Sequence, residues 1–337
     1  MKILLVASPS PFTEQLKEAF RANNAEIFYL NDRENNLMPW PFKGNNFFRR
    51  ITRRIHPLRV VSNHIFGGKL LKTALELKPD LVFLSKGMIV KKDTLTALRT
   101  AGIKTANWII DNIRNEPYRA WFISNYKFYD YFFIFDSGAK ELVKSEVESS
   151  NIFYLPLAVE PDTFRLDGLS ESDRQKYSCD VCFVGALYPE REMFLQAVKK
   201  LGVNLKVYGW KGWKKSSLAE YYHGPLNIKE TIKLYNCAKI CLNMNTEPPI
   251  NGVNLKTFEI PAAGGFQLSD YRKDVEGLFM AGKEIDFFRN EEELGQKVRF
   301  YLSHEELRHN IALAGHERVL MDHTMAKRIG EVLNITA

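Results

Sequence analysis

Short apolar runs alternate with amphipathic segments along the first half of the chain. The runs that predict buried strands lie at residues 2–7, 26–30, 81–85, 103–110, 130–135 and 152–155. Apolar positions spaced three and four residues apart predict helices at residues 11–22, 68–77, 91–100 and 138–147. Strands that alternate with helices in this way form βαβ units, so we expect a parallel sheet with helices on both faces.

The alternation stops and then resumes in the second half. Two prolines, Pro156 and Pro161, and the polar stretch 166–176 are typical of a connecting segment. Further strands are predicted at residues 179–184, 204–208, 238–242, 266–269 and 284–288. Helices are predicted at residues 190–200, 228–236 and 255–263, and two more close the chain.

This pattern predicts an α/β protein of two Rossmann-like, doubly wound domains that face each other across a cleft. We expect a first domain at residues 1–160, a linker at 161–176 and a second domain at 177–320. A last helix at 321–337 is expected to cross back to the first domain. Ligands of such domains bind at the carboxyl ends of the strands.

Composition narrows the class of protein. The 337 residues are 45% hydrophobic and 26% charged, which excludes a disordered or coiled-coil chain. No run reaches the roughly 18 apolar residues of a membrane span. Pro9 and Pro11 follow the first apolar run at once, which favours a strand over a signal peptide, so we expect a cytoplasmic protein.

The net charge of +7 favours anionic partners. A basic insert places four arginines on one helical face, namely Arg49, Arg50, Arg53 and Arg54. Such a face could contact an anionic membrane, at the inner membrane surface, where a lipid-linked acceptor would sit. It could also bind another polyanion, or be an ordinary solvated face. Nucleic acid is less favoured, because stacking aromatics are not interleaved with the arginines.

The cysteines do not predict a metal site. Cys179 and Cys182 have the spacing of a redox or zinc pair, but they lie within a predicted strand, and no second close pair or His-x-His accompanies them. Small buried side chains are the better interpretation. We expect no bound metal.

The segment 251–265 carries the strongest candidate site. Asn254 is placed to cap a helix that begins near residue 255 and ends at Gly264 and Gly265. Lys256 and Glu259 fall one turn apart on the same face. A lysine at a helix N-terminus could bind phosphate, and the glutamate could accept hydrogen bonds from ribose hydroxyls. The alternative is a surface helix with an ordinary Lys–Glu pair.

A second candidate segment follows the strand that ends at Tyr208. Trp210 or Trp213 could stack on a nucleobase, with Lys211 near phosphate. Packing of these aromatic side chains on a neighbouring loop is the alternative.

Several stretches, taken in order, resemble one enzyme family. FEIPAAGGFQLSD, DVEGLFMAGKEIDFF and EELGQKVRFYLSHEELRHNIALAGHERVL resemble the C-terminal domain of CgeB-like glycosyltransferases of GT-B fold. VCFVGALYPEREMFL resembles the opening strand and glycine loop of that domain. NIFYLPLAVEPDTF resembles the crossover between domains, and WIIDNIRNEPY resembles an acceptor-side segment.

The resemblance implies transfer of a sugar from a nucleoside-diphosphate sugar to a hydroxyl acceptor, in polysaccharide or glycoconjugate biosynthesis. Glu259 would contact the donor ribose and Lys256 its diphosphate, with Gly185 and Arg191 near the phosphates. Asn251 stands where related GT-B families have a first glutamate, which leaves the stereochemical outcome open. The acceptor could be a glycan, a lipid-linked sugar, a protein or another molecule.

The sequence has no Asp-x-Asp motif, which agrees with leaving-group stabilisation by Lys256, Arg191 and helix N-termini without a metal. We expect no cofactor besides the nucleoside-diphosphate sugar as co-substrate. Asp111, at the end of a predicted strand, is the candidate general base, although an aspartate in this position more often caps a helix or a turn. Asp136 is a weaker rival, for which helix capping is favoured.

Three other functions have weaker support in the sequence. A nucleotide-sugar epimerase or hydrolase would keep the fold and change the reaction. A non-catalytic protein could bind a polyanion through the basic insert. A nicotinamide oxidoreductase is disfavoured, because no Gly-x-Gly-x-x-Gly follows the first strand.

Overall fold

The computed structural model describes residues 1–33, 56–113, 118–146, 151–245 and 250–337. The chain divides into two compact units, one formed by Met1–Pro156 with Ala326–Ala337 and the other by Leu157–Met325. The end of the chain therefore belongs to the first unit. It is held there by hydrogen bonds such as Asn23 Nδ2 to Ala326 O at 2.8 Å and Arg328 Nε to Pro156 O at 3.1 Å.

The first unit is a six-stranded parallel sheet in the order β2-β1-β3-β4-β5-β6. Its strands are β1 (Lys2–Ala7), β2 (Glu26–Asn31), β3 (Leu81–Ser85), β4 (Lys104–Ile109), β5 (Tyr131–Ile134) and β6 (Ile152–Tyr154). Its helices are α1 (Pro11–Ala22), α2 (His56–Leu77), α3 (Lys92–Thr100), α4 (Tyr118–Asn125) and α5 (Ser137–Glu146).

The apolar runs of this unit are buried because helices cover both faces of a parallel sheet. All five residues of β3 are buried, and β3 pairs with β1 and β4 in the centre of the sheet. The predicted elements agree with the observed ones to within a few residues, except that α2 begins earlier than predicted and α4 was not predicted. The α4 segment is packed by aromatic side chains, including a stacked Phe122–Tyr126 pair at 5.2 Å, instead of a regular apolar stripe.

The second unit is a five-stranded parallel sheet in the order β11-β10-β9-β7-β8. Its strands are β7 (Cys179–Val184), β8 (Leu205–Tyr208), β9 (Ala238–Asn243), β10 (Gln267–Asp270) and β11 (Asp286–Phe288). Its helices are α6 (Glu171–Tyr177), α7 (Pro189–Lys199), α8 (Ile228–Cys237), α9 (Lys256–Ala262), α10 (Glu291–Ser303) and α11 (Glu305–Asp322). A last helix, α12 (Met325–Thr336), begins at the end of this unit.

Residues 161–176, predicted as a linker, are part of the second unit in the structure. They contain a 3-10 turn at Pro161–Phe164 and most of α6. The α6 helix begins with a capping box, in which the Ser170 hydroxyl accepts from the Asp173 N–H and the Asp173 carboxylate accepts from the Ser170 N–H. Polar residues can thus form a helix here because their side chains pair with the free backbone N–H groups of its first turn. The segment is also anchored by Phe164 and Tyr177, which are buried.

The cysteines have no disulfide partner. Cys179, Cys182 and Cys241 are buried and Cys237 is half-buried. Burial raises the pKa of the Cys182 thiol. Within the described residues, no three His, Cys, Asp or Glu side chains lie close enough together to hold a metal ion. No described helix is both long and apolar enough to cross a membrane.

Candidate functional site

The carboxyl edge of the second sheet has its topological switch point between β7 and β9. The chain passes from β7 to β8 on one side and then to β9 on the other side of β7. In open α/β sheets, ligands bind in the crevice that such a reversal creates. The described residues that follow β7, β8 and β9 therefore form the candidate site of this unit.

Two glycines bring the ends of β7 and β8 together. Gly185 donates its N–H to Tyr208 O at 2.9 Å. Gly209 has a φ of +138°, and a Cβ there would collide with the Gly185 carbonyl oxygen. Gly209 is therefore required by both its backbone conformation and its neighbour. Gly185 itself leaves no room for a side chain beside Phe183.

Arg191 holds the ends of two strands by their backbone. Its Nε and Nη2 donate to Met244 O at 3.0 and 2.7 Å, and its Nη1 donates to Ala186 O at 3.1 Å. The guanidinium also lies over the Phe183 and Tyr188 rings. The sequence-based expectation was a contact with the donor phosphates. In the structure these N–H groups instead face carbonyl oxygens, because Arg191 is buried on the first half of α7.

Beside Arg191, a network of polar side chains fixes the start of α9. Asn245 accepts the Asn254 N–H at 2.8 Å, and the Asn254 side chain donates to Asn243 Oδ1 at 3.0 Å. Asn243 in turn donates to Thr257 Oγ1 at 3.0 Å. Asn254 Oδ1 accepts the Thr257 N–H at 3.3 Å, so Asn254 caps the helix as its position in the sequence suggested.

Asp270 anchors this network at the end of β10. One carboxylate oxygen accepts both the backbone and the side-chain N–H of Asn245 at 2.8 Å, and the other lies 3.2 Å from Arg272 Nη2. Burial raises the pKa of Asp270, while Arg272 and the Asn245 hydrogen bonds oppose that rise. A buried polar network with its members satisfied positions its residues rigidly, which is what a binding site needs.

Lys256 and Glu259 form an ion pair on the first turn of α9. Lys256 Nζ lies 3.4 Å from Glu259 Oε2, and both side chains are about one quarter exposed. One face of the helix is buried through Phe258, Ile260 and Pro261, while the Lys–Glu pair that the alternative interpretation expects is also present. The pair thus projects from a packed helix at the carboxyl edge of the sheet, beside the Asn254 network.

Gly264 and Gly265 lie at the other end of the same helix. Gly264 has a φ of +86° and donates to Pro261 O at 2.8 Å, which ends the helix. A Cβ on Gly265 would press against Cys241 Sγ and Tyr235 O. Both glycines precede β10 and therefore lie at the amino edge of the sheet, whereas the expected donor contacts belong at the carboxyl edge. Gly264 lines a separate cavity of about 410 Å³ in this unit.

The two tryptophans after β8 have different environments. Trp213 is fully buried, and its Nε1 donates to Gly185 O at 2.8 Å. Trp210 is 79% exposed. The next residue, Lys211, is exposed as well, as are Lys214 and Lys215. Only Trp210 of the two aromatic side chains is therefore available to stack on a ligand.

At the carboxyl edge of the first sheet, Asp111 is paired with a lysine. Lys86 Nζ lies 2.6 Å from Asp111 Oδ2. Lys86 follows β3 and Asp111 follows β4, and these strands are neighbours in the sheet. Lys86 has a φ of +72°, a conformation that costs a non-glycine residue about 1 kcal/mol or more.

Hydrogen bonds and close packing fix the backbone around Lys86. Asn107 Nδ2 donates to Lys86 O at 3.2 Å, and Lys86 N–H donates to Trp108 O at 3.0 Å. Gly87 has a φ of +61°, and a Cβ there would meet Asn107 and the Tyr129 hydroxyl at under 3 Å. This packing explains why the strained conformation of Lys86 persists.

Asp136, the weaker candidate for the general base, has a structural role, and the basic insert is not described by the structure. Asp136 caps α5, since its Oδ1 accepts the N–H groups of Gly138 and Ala139 at 2.9 and 3.3 Å. The four arginines of the basic insert lie outside the described residues.

Sequence reasoning missed Lys86, Asn243, Asn245 and Asp270. Lys86 precedes a glycine directly after a strand, and a lysine at that position was a signal that could have been used. Asn243 ends β9 and Asn245 comes two residues later, which also places them at the carboxyl edge. Asp270 ends β10 in the stretch already singled out by its resemblance.

Part of the chain matches a known protein family, and solved structures share its fold. Residues 191–334 match the family described as glycosyl transferase-like. The sucrose-phosphate synthase of Thermosynechococcus elongatus has a similar structure, with a TM-score of 0.69 and 10% identity over 99% of this chain and 98% of that one. The fold is that of the GT-B glycosyltransferases.

Other solved structures share this GT-B fold. Anabaena HepE in complex with UDP has a TM-score of 0.67 and 12% identity, over 99% of this chain and all of that one. The N-terminal domain of Candida albicans trehalose-6-phosphate phosphatase has a TM-score of 0.71 and 10% identity, over 99% and 96%. None of the curated protein sequences matches this chain. The segment 191–334, which matches the glycosyl transferase-like family, contains Arg191, the Asn254 network and the Lys256–Glu259 pair.

Proposed function

We propose that this protein is a glycosyltransferase that moves a sugar from a nucleoside-diphosphate sugar to a hydroxyl acceptor, within a CgeB-like group. The observation that carries the proposal is the Lys256–Glu259 pair, held by the Asn254 network at the switch point of the second sheet. This pair lies inside the segment that matches a glycosyltransferase family. HepE, which has the same fold, binds UDP and UDP-glucose, so uridine is the first base to test.

In the proposed donor site, Glu259 accepts hydrogen bonds from the ribose hydroxyls, and Lys256 faces the diphosphate. The lysine lies near the negative charge that develops on the leaving group, which is where a positioned cation lowers a barrier most. Arg191 acts indirectly, because it holds the loops after β7 and β9 against each other. Trp210 is the exposed aromatic side chain that could cover the base. We propose that no metal ion is needed for this step.

Asp111 is the proposed general base in the first unit. Its carboxylate would take the proton of the acceptor hydroxyl as that oxygen bonds to the anomeric carbon. The bond from the anomeric carbon to the phosphate oxygen breaks, and the nucleoside diphosphate leaves with the electron pair. Lys86 would orient the carboxylate through its contact with Oδ2.

The first test is a thermal-shift screen with UDP, GDP, dTDP, ADP and CDP, with and without EDTA. A nucleotide present at 100 times its Kd should stabilise the protein by about 2.7 kcal/mol, and thus raise the Tm by several degrees. We expect one base to give this shift, EDTA to leave it unchanged, and Glu259→Gln to abolish it. Glu76→Gln is the control, since Glu76 also faces a lysine on a helix, in the first unit.

The second test follows product formation from the sugar nucleotide of the base so identified. Transfer to an added acceptor, lost in Asp111→Asn, would support the proposal. Turnover of the donor alone at an undiminished rate would indicate the hydrolase or epimerase alternative. A screen in which no nucleotide shifts the Tm would contradict the assignment of Lys256 and Glu259.

A further inference from the structure

Tyr235 has a buried hydroxyl that the proposed mechanism does not use. The residue is 2% exposed and belongs to the last turn of α8. Among the residues that the structure describes, none forms a hydrogen bond with its hydroxyl group. A buried polar atom without a partner costs free energy, and a phenylalanine would fill the same space without that cost. The hydroxyl therefore calls for a partner that arrives during function.

The position of Tyr235 directs its side chain towards α9. The ends of α8 and α9 are joined, since Asn236 Nδ2 donates to Ala263 O at 2.7 Å. A Cβ on Gly265 would lie 3.1 Å from Tyr235 O. These contacts lie at the amino edge of the sheet, where β9 and β10 begin. Side chains of a helix point back towards its N-terminus, so the Tyr235 ring extends from there towards the carboxyl edge, where the first turn of α9 lies.

Glu259 is the charged side chain that acts on the Tyr235 hydroxyl. Burial raises the pKa of Tyr235 well above its usual value, and the negative charge of Glu259 raises this pKa further. The effect places the Glu259 carboxylate near the hydroxyl, because the influence of a charge falls with distance. The hydroxyl keeps its proton at neutral pH and is therefore able to donate a hydrogen bond.

The carboxylate of Glu259 has one cationic partner, and the proposed mechanism gives that partner another task. Lys256 Nζ lies 3.4 Å from Glu259 Oε2, which is longer than the roughly 2.7–2.9 Å of a close charge-assisted hydrogen bond. In the proposed donor site, Lys256 faces the diphosphate. A lysine that turns towards the diphosphate no longer holds the carboxylate, so a second donor is needed to keep Glu259 in one rotamer.

We infer that Tyr235 is a positioning residue for recognition of the donor ribose. Its hydroxyl donates to one oxygen of the Glu259 carboxylate when Lys256 turns to the diphosphate, and the carboxylate accepts from the ribose hydroxyls. The inference rests on the proposed function, because it requires a nucleoside diphosphate beside Glu259. It makes the ribose hydroxyls, and not the base, the groups whose binding depends on Tyr235.

The test is calorimetric titration of the full chain with UDP and with 2′,3′-dideoxy-UDP, which lacks both ribose hydroxyls. Another base that shifts the Tm in the screen replaces uracil in both compounds. The unmodified protein should bind UDP at least about tenfold tighter than the dideoxy compound, and Glu259→Gln should bring this ratio close to one. Tyr235→Phe should weaken UDP binding at least about fivefold and leave the dideoxy compound within about twofold.

The stability of the same variant separates positioning from a structural role. Tyr235→Phe removes a hydroxyl that has no partner, so the Tm measured without nucleotide should stay the same or rise. A purely structural tyrosine would give this Tm with no change in UDP affinity. Ser62→Ala is the control, because Ser62 Oγ, in the first unit, is also buried without a hydrogen-bond partner. It should leave the affinities for both compounds unchanged.

The outcomes distinguish this inference from the proposed function. If Glu259→Gln weakens UDP binding and Tyr235→Phe does not, the role of Tyr235 is overturned and the donor site stands. Equal losses for UDP and the dideoxy compound in Tyr235→Phe would also overturn it, because the hydroxyl would then act on something other than the ribose. Equal binding of both compounds by the unmodified protein, or no binding of either, would overturn the assignment of Glu259 and the role of Tyr235 with it.

Discussion

At the scale of single residues, the candidate site depends on side chains that hold backbone in place. Arg191 donates its described hydrogen bonds to Met244 O and Ala186 O. Asn245 and Asp270 fix the start of α9. Such residues act on a ligand through the loops they hold. Loss of a hydrogen bond from a charged donor costs about 1.5–3 kcal/mol, and a buried acceptor left without a partner adds to that cost.

We therefore predict that Arg191→Lys lowers stability by about 2–3 kcal/mol, because a lysine keeps the charge but not the paired bonds to Met244 O. The nucleotide that shifts the Tm of the unmodified protein should keep its Kd within about threefold. Urea unfolding and calorimetric titration measure the two effects.

Arg308→Lys is the matched control for this variant. Arg308 is also buried in the second unit and also donates to a backbone carbonyl, that of Tyr301, near the start of α11. It should lose similar stability with no change in nucleotide affinity. A tenfold loss of affinity in Arg191→Lys alone would contradict this prediction and show that Arg191 contributes to nucleotide binding as well as to stability.

The residues found from sequence and those missed differ in how far apart their partners lie along the chain. Asn254, Lys256 and Glu259 are neighbours on one turn, so helix periodicity alone brings them together. Lys86 and Asp111 are joined only because β3 and β4 are adjacent strands. A strand order cannot be derived from local periodicity, and pairs of this kind therefore require the fold.

At the scale of elements, periodicity predicted the strands well but did not predict the short polar helix α6. The bounds of β1, β3, β7 and α1 agree with those expected, because buried strands and capped amphipathic helices have strong local patterns. The α6 helix lies in a stretch whose polar composition suggested a linker. Its helical structure depends on a capping box and on an ion pair with α8, Asp173 to Lys233 at 2.8 Å.

The stability of α6 should depend on acid pH. The hydrogen bonds from Lys233 and then from Ser170 lower the pKa of Asp173 to about 2. Its carboxylate therefore contributes stability above the unfolded-state pKa of about 3.9, and this contribution is lost as the pH falls towards 2. Asp173→Asn should lower the Tm at pH 5 to 7, and the difference from the unmodified protein should shrink between pH 4 and pH 2.

Circular dichroism melts at each pH measure this difference. Asp167→Asn is the control, because Asp167 lies in the same stretch and has no hydrogen-bond partner among the described residues. Its Tm difference should stay small and flat with pH. A constant Tm difference for Asp173→Asn across the whole range would mean that α6 depends on the shape of the side chain and not on its charge.

At the scale of the whole molecule, the proposed donor residues all lie within the second unit, where they follow strands of its sheet. The fold class could be predicted because two separate βαβ series are visible in the sequence. The contact of Lys86 with Asp111 could not be predicted, because it depends on which strands are neighbours in the first sheet.

The proposed donor site predicts one footprint in hydrogen exchange. The nucleotide should slow exchange in peptides that contain residues 185–187, 209–211 and 254–259, since it would contact these loops and the first turn of α9. Residues 63–68 and 91–95 in the first unit, and residues 262–266 at the amino edge of the second sheet, should be unaffected.

Peptide-level exchange with and without the nucleotide measures this footprint, and Glu259→Gln should remove the protection at residues 254–259. Nucleotide protection at residues 91–95 without any at 254–259 would place the donor in the first unit and contradict the proposed roles of Lys256 and Glu259.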